Sequence, residues 1–173
     1  PLAVDGEGLL VDEQLHGCDL IFTTPSHQFP TTVTLPMERR LTLLEQASKH
    51  DFLIIEDDYE CETSFASHPT PALKSLDRND RVIYLGSLSK TLSPGLRLGY
   101  MVGPKAFIRE VREFRRMMLR HPPMNNQRAV GLFLARGYHD SLIRSLVQVY
   151  EARWKAVGDA LQECLPESAK PPV

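Results

Sequence analysis

The apolar run Phe52-Leu53-Ile54-Ile55, which ends abruptly in Glu56-Asp57-Asp58-Tyr59-Glu60, constrains the fold more than any other stretch. An unbroken apolar block with two β-branched residues suits a strand buried on both faces, the habit of a parallel sheet. In such sheets ligands sit beyond the carboxyl ends of the strands, so acids at this end are placed for a ligand. An acidic turn that only ends a strand is the structural alternative. Upstream, residues 19–24 read as a second buried strand stopped by Pro25, and Pro36 opens a helix running to about His50. On that helix Leu41, Leu44, Ala47 and Ser48 share one face, with Arg39, Arg40, Glu45 and Lys49 elsewhere. Strand, helix and strand together imply a parallel sheet with a right-handed crossover, hence an α/β fold.

Downstream, the strand-like run Val82-Ile83-Tyr84-Leu85-Gly86 leads into Ser87-Leu88-Ser89-Lys90-Thr91-Leu92-Ser93-Pro94-Gly95-Leu96-Arg97. A lysine flanked by hydroxyls, with an arginine further along, suits a carbonyl cofactor held as a Schiff base on Lys90 while Ser87 and Arg97 take its phosphate. An amine is nucleophilic only when neutral, and a neighbouring cation such as Arg97 lowers a lysine pKa towards the working pH. Arg97 also offers a bidentate phosphate contact. Asp57 is placed to keep a pyridine nitrogen protonated, making the ring an electron sink, and Tyr59, two residues on, to hydrogen-bond the ring's phenolic oxygen. The plain reading of Lys90 is a solvated side chain.

Residues 8–15 suggest the start of a short helix, and 61–81, rich in Ser, Pro and Asp, a connecting loop with a helical turn at 72–76. Residues 98–102 read as another strand, antiparallel or at a sheet edge because the link before it is short. Pro104 starts a helix to about Leu119 with the stripe Phe107, Ile108, Val111, Phe114 and Met118. Its basic face, Arg109, Arg112, Arg115, Arg116 and Arg120, reads as a solvated face or partner surface rather than a phosphate site. Asn125 or Asn126 is placed to cap a helix to about Arg136, stopped by Gly137, and residues 140–165 carry the longest helical pattern. His27, at the carboxyl end of the first strand, stands either where a ligand would or as a turn residue satisfied by backbone.

With 173 residues, 42% of them hydrophobic, the chain has enough apolar mass for a core and is about one domain by length. A net charge of −2 sets up no field for nucleic acid. Three cysteines, Cys18, Cys61 and Cys164, form no metal-binding cluster and suit a reducing cytoplasm. No apolar run approaches the roughly 20 residues of a membrane span, and no signal peptide is evident.

Four motifs in order resemble one family. Thr24-Pro25-Ser26-His27-Gln28-Phe29-Pro30-Thr31, the Ile54 to Glu60 stretch, Pro71-Ala72-Leu73-Lys74-Ser75-Leu76-Asp77, and Tyr84 to Lys90 through Pro94-Gly95-Leu96-Arg97-Leu98-Gly99-Tyr100 are similar to the aminotransferase-like domain of MocR/GabR-type transcriptional regulators of the GntR superfamily. The resemblance implies the fold-type I fold of pyridoxal-phosphate enzymes, a three-layer α/β/α arrangement on a mostly parallel sheet. It implies Lys90 as the Schiff-base lysine, Asp57 as partner of the pyridine nitrogen, Tyr59 beside the phenolic oxygen, and Ser87 and Arg97 as phosphate ligands. His27 falls where related aminotransferases carry an asparagine that contacts the cofactor. Thr32 stands where the family usually has glycine, and a β-branched residue resists the positive φ of such a turn.

Complete domains of this family are much longer, so the expectation is an interior fragment. Residues 1–137 would be part of the cofactor-binding large domain, and 138–173 a long helix leading into a small C-terminal domain. Three function classes compete: a regulator sensing a small amine or amino acid through pyridoxal 5'-phosphate on Lys90, a working aminotransferase, and a structural or dimerisation unit without cofactor. The His-Gln-Phe-Pro segment and the Asp-Asp-Tyr-Glu form favour the first. A homodimer, DNA contact only through a domain outside this chain, a cytoplasmic location and weak cofactor binding by the fragment complete the expectations.

Overall fold

The computed structural model describes residues 1–59, 70–121 and 123–166. The chain opens with a two-rung antiparallel ladder, β1 (Val4–Asp5) on β2 (Gly8–Leu9), followed by a 3-10 turn at Glu13–Leu15. Here the expectation of a helix over 8–15 is corrected. Gly8 sits at φ +94, outside helical space, and Asp12 turns its carboxylate onto the Gln14 N–H at 2.9 Å.

The main sheet runs in the order β3 (Leu20–Thr23), β4 (Leu53–Asp58), β5 (Val82–Ser87) and β6 (Gly99–Val102). The first three strands are parallel, and β6 returns antiparallel at the edge, as the short link before it requires. Between β3 and β4 runs α1 (Met37–Lys49), set up by Pro36 at φ −63 with Glu38 in its first turn and Lys49 in its last. The strand β4 does not stop at Ile55. Glu56, Asp57 and Asp58 pair with Tyr84, Leu85 and Gly86 of β5, so the acids belong to the ladder and not to a turn.

One face of the sheet carries the core. Ile21, Ile54 and Val82 meet Leu43 and Ala47 of α1 and Leu73 of α2 (Leu73–Leu76), with Leu9, Leu15, Leu35 and Phe52 closing the cluster. The buried side of α1 is therefore Arg40, Leu43 and Ala47, while Leu41 is 53% exposed. Of the face expected from Leu41, Leu44, Ala47 and Ser48, Ala47 is in the core and Leu44 packs against it, while Leu41 is corrected to the exposed side, because Arg40 finds buried acceptors described below.

On the other face α3 (Lys105–Leu119) brings Phe107 and Ile108 to Gly103 beside the buried Ile83. These helices on opposite faces give the three layers. Only the first half of the α3 stripe packs, since Phe114 and Met118 are exposed. Then come α4 (Met124–Ala135) and α5 (Tyr138–Cys164), which meet where the Phe133 and Tyr138 rings stand 5.6 Å apart. Pro123, not an asparagine, precedes the first turn of α4, so Asn125 and Asn126 lie inside the helix and cap nothing. Gly137, at φ +70, ends α4 and starts α5. Among the described residues no helix is long and apolar enough to cross a membrane.

Candidate functional site

Strand alternation divides the three acids of β4. Glu56 and Asp58 point with Ile54 to the face covered by α1 and α2, and are buried. Asp57 points to the opposite face with Leu85 of β5, its register partner, and Ser87 follows two residues on along the same face. Among the described residues the Asp57 carboxylate has no hydrogen bond or ion pair. Burial pushes its carboxyl above the ordinary 3.8, and the neighbouring Asp58 pushes it further the same way.

Beyond Ser87 the chain forms a loop before returning as β6. The Leu88 N–H donates to the Leu98 carbonyl at 3.0 Å, just past the Ser87–Gly99 rung, so Lys90 and Arg97 lie in one loop closed at its neck. The Ser89 N–H donates to Ser87 Oγ at 3.2 Å, and the Leu92 N–H to the Leu88 carbonyl at 3.0 Å. Lys90 is exposed, as is Arg97, which caps a 3-10 turn at Pro94–Leu96 with φ 48. Thr91, next to the lysine, is 4% exposed and its Oγ1 is buried without a partner among the described residues. Sequence reading counted Thr91 only as one of the hydroxyls flanking Lys90 and gave it no role of its own; its place within the Ser-x-Ser-Lys-Thr run is the only signal it leaves. Gly86, the register partner of Asp58, is required because a Cβ there would overlap the Tyr100 ring.

His27 lies in the loop that follows β3. Its carbonyl accepts the Tyr59 hydroxyl at 2.9 Å, which ties this loop to the end of β4. A phenol has one proton, so Tyr59 donates to any other oxygen only after leaving that carbonyl. The Nδ1 atom of His27 is buried with no hydrogen-bond partner among the described residues. Thr32 does adopt a left-handed conformation, φ 63, and its N–H donates to the Gln28 carbonyl at 2.6 Å. The turn thus keeps the form that glycine favours, with threonine carrying the strain. The Phe29-Pro30 peptide is cis, and Phe29 is 77% exposed. Glu60, Cys61 and His68-Pro69 lie outside the described residues.

Underneath these loops, on the covered face, is a charged cluster that the sequence did not announce. Arg40 is 0% exposed and the largest of the fully buried side chains among the described residues. Its Nε donates to the Leu35 carbonyl at 2.9 Å, Nη2 to Pro25 at 2.8 Å and Nη1 to Pro71 at 3.0 Å. Glu56, also 0% exposed, stands 3.9 Å from Arg40 and accepts the N–H groups of Leu73 at 2.7 Å and Lys74 at 2.8 Å. Burial raises the Glu56 carboxyl above its ordinary 4.5, outweighing the two N–H donors and Arg40, while Asp58 pushes it further up. Asp58 Oδ2 accepts the Tyr84 hydroxyl at 3.1 Å.

Known proteins share the fold of this chain. The chain matches the family described as "Aminotransferase class I and II" over residues 10–163. It is 47% identical to the HTH-type transcriptional regulator TauR of Rhodobacter capsulatus, covering 92% of this chain and 33% of that protein. To the probable rhizopine catabolism regulatory protein MocR of Rhizobium meliloti it is 38% identical, over 90% of this chain and 32% of that one. The chain thus spans about a third of the length of these relatives. Among solved structures, the kynurenine aminotransferase of Pyrococcus horikoshii, in complex with PMP, superposes with a TM-score of 0.88 at 33% identity, over 98% of this chain and 45% of that one. The α-aminoadipate aminotransferase LysN of Thermus thermophilus, complexed with N-(5'-phosphopyridoxyl)-L-leucine, gives 0.87 at 30% identity, over 96% and 44%. With the match running along nearly its whole length and the three-layer fold in common, the chain belongs to the aminotransferase class I and II family.

Proposed function

We propose that this chain is the cofactor-holding part of a cytoplasmic MocR-type transcriptional regulator, which senses a small amine or amino acid through pyridoxal 5'-phosphate on Lys90. Residues 1–137 would belong to the cofactor domain and 138–173 would lead towards a further C-terminal unit. DNA would be contacted by a domain outside this chain, and the working form would be a homodimer. The observation that carries the cofactor reading is the Asp57 carboxylate, without a partner among the described residues, on the same sheet face as Ser87 and paired with the strand that leads into the closed loop holding Lys90 and Arg97. Similarity favours a regulator: 47% and 38% identity to TauR and MocR, against 32% to the aromatic-amino-acid aminotransferase 1 of Thermococcus litoralis.

The residues suit this group. When bound, pyridoxal phosphate supplies a carbonyl that amines add to and a ring that draws electron density from Cα. Asp57 would hold a proton on the ring nitrogen, and that cation would in turn draw its raised carboxyl back down. Ser87 and Arg97 would take the phosphate, the guanidinium by a bidentate contact. The Lys90 amine would hold the carbonyl carbon. His27 Nδ1 and Thr91 Oγ1, both buried and without a partner among the described residues, are polar atoms of the loops after β3 and β5 in want of a partner. Tyr59, its hydroxyl held by the His27 carbonyl, would be the contact of the phenolic oxygen, its own oxygen still able to accept a hydrogen bond.

A second reading, a working aminotransferase, is favoured by the TM-score of 0.88 to an enzyme of that class. One experiment covers both. The full-length protein is titrated with pyridoxal phosphate, reduced with borohydride and peptide-mapped, alongside Lys90→Ala. A cofactor absorbance band and a reductively trapped label, both lost with Lys90→Ala, are expected; a folded protein showing neither overturns the reading. Adding amino donors with a keto acid separates the two roles. A spectral shift without turnover marks the sensor, and sustained production of new amino acid marks the enzyme.

A further inference from the structure

The loop that leaves β3 and the chain that enters α2 are both pinned by a side chain that would not itself meet the cofactor. Through Nη2 and Nε, Arg40 bonds the carbonyls of Pro25 and Leu35, the two ends of the loop that carries His27. The Leu35 N–H crosses the same neck to the Pro25 carbonyl at 2.8 Å. Through Nη1 the guanidinium also holds Pro71, ahead of α2, whose first N–H groups are taken by Glu56. Arg40 and Glu56 therefore fasten the 25–35 loop and the chain entering α2 to one buried point under the strand that presents Asp57.

The chemistry of the contacts requires arginine. Three nitrogens on one rigid plane point at three carbonyls from separate segments; a lysine ammonium is a single donor centre on a flexible stem. A buried pair of opposite charges adds little net stability over apolar residues of similar volume, so the contribution of this one is geometric.

We infer that Arg40 is a positioning residue for the cofactor site, setting where the His27 carbonyl, and through it the Tyr59 hydroxyl, stands at the end of the strand that carries Asp57. This rests on the cofactor reading proposed above. Arg40 touches no reacting atom and acts through the neck of the 25–35 loop.

The test is pyridoxal phosphate affinity in the full-length protein for wild type, Arg40→Lys, Tyr59→Phe and the double variant, with folding followed by circular dichroism. Arg40→Lys keeps the charge and loses the fork, and its Kd is expected to rise about 10-fold, the scale seen when residues supporting a site are changed. Because Arg40 acts through Tyr59, the double variant is expected to bind about as weakly as the weaker single one. A folded Arg40→Lys with wild-type affinity overturns the inference, and so does a double variant whose losses multiply to about 100-fold. Should Arg40→Lys not fold, the neutral pair Arg40→Gln with Glu56→Gln removes both charges together. It is expected to show the same loss, and unchanged affinity there also overturns the inference. A wild-type band that persists in Lys90→Ala would instead defeat the cofactor reading, whatever Arg40 does.

Discussion

The two faces of the sheet receive adjacent residues and treat them in opposite ways. Glu56 and Asp58 face α1 and α2, buried, with both Glu56 oxygens engaged by backbone N–H groups and Asp58 Oδ2 by a tyrosine hydroxyl, while Asp58 Oδ1 is closed in on that face without a partner among the described residues. Asp57, between them, faces the side where Leu20 and Phe22 are 50% and 60% exposed, and its carboxylate has no hydrogen bond or ion pair among the described residues. A carboxylate buried with partners holds the structure together, and one left without them is free to meet a ligand. Alternation along one strand separates anchoring from chemistry within three residues.

The sharpest test of that contrast is Glu56→Ala against Asp57→Ala. Removing Glu56 leaves a buried guanidinium short of its anion and two N–H groups without an acceptor, so a loss of about 3–5 kcal/mol is expected in urea unfolding. Asp57→Ala is expected to change stability by less than about 0.5 kcal/mol while abolishing pyridoxal phosphate binding. Equal destabilisation by the two would break the comparison. Next in size is Tyr84→Phe, which takes from Asp58 its hydroxyl donor inside the covered face, an expected cost of about 1–3 kcal/mol by the same assay.

Thr32→Gly should act in the opposite direction. It relieves a β-branched residue at φ 63 and is expected to stabilise by about 1 kcal/mol, less the added freedom of glycine in the unfolded chain, read from the melting temperature.

The pH dependence gives the smallest and most specific effect. Since Glu56 is raised above 4.5, its contribution favours the fold below that value and fades as pH climbs through the raised one. For Asp77 the sign reverses. Burial pushes it up, but hydrogen bonds from Lys74 and the N–H groups of Val82, Arg81 and Asn79 hold it below 3.8. Its contribution is present above 3.8 and lost as pH falls through the lowered value. Stability against pH should thus flatten on the upper limb in Glu56→Gln and on the acid limb in Asp77→Asn. Interchanged limbs would show that the two carboxylates have been assigned the wrong environments.

Much of the architecture was legible because it follows from short-range pattern. The apolar blocks, Pro36 and Pro104 ahead of their helices and the stop at Gly137 all appear where expected. Errors arose where a long-range partner changes the meaning of a residue. Arg40, Leu43 and Ala47 have helical spacing, but a charged residue is placed outside unless its acceptors are known, and those come from Pro25, Leu35 and Pro71. Likewise Glu56-Asp57-Asp58 looks like a turn until pairing with Tyr84, Leu85 and Gly86 keeps it extended. At Thr32 residue type argued against the positive φ that the loop's own hydrogen bonding holds in place.

By itself the sequence determined the order of strands and helices and the identity of the candidate site residues, because periodicity, prolines and motif spacing are local properties of the chain. Only the tertiary structure decided which of three consecutive acids faces the open side, that the Tyr59 hydroxyl donates to the His27 carbonyl, and that one buried arginine fastens the 25–35 loop and the chain entering α2. Those are matters of register and of which distant carbonyls arrive within hydrogen-bond reach.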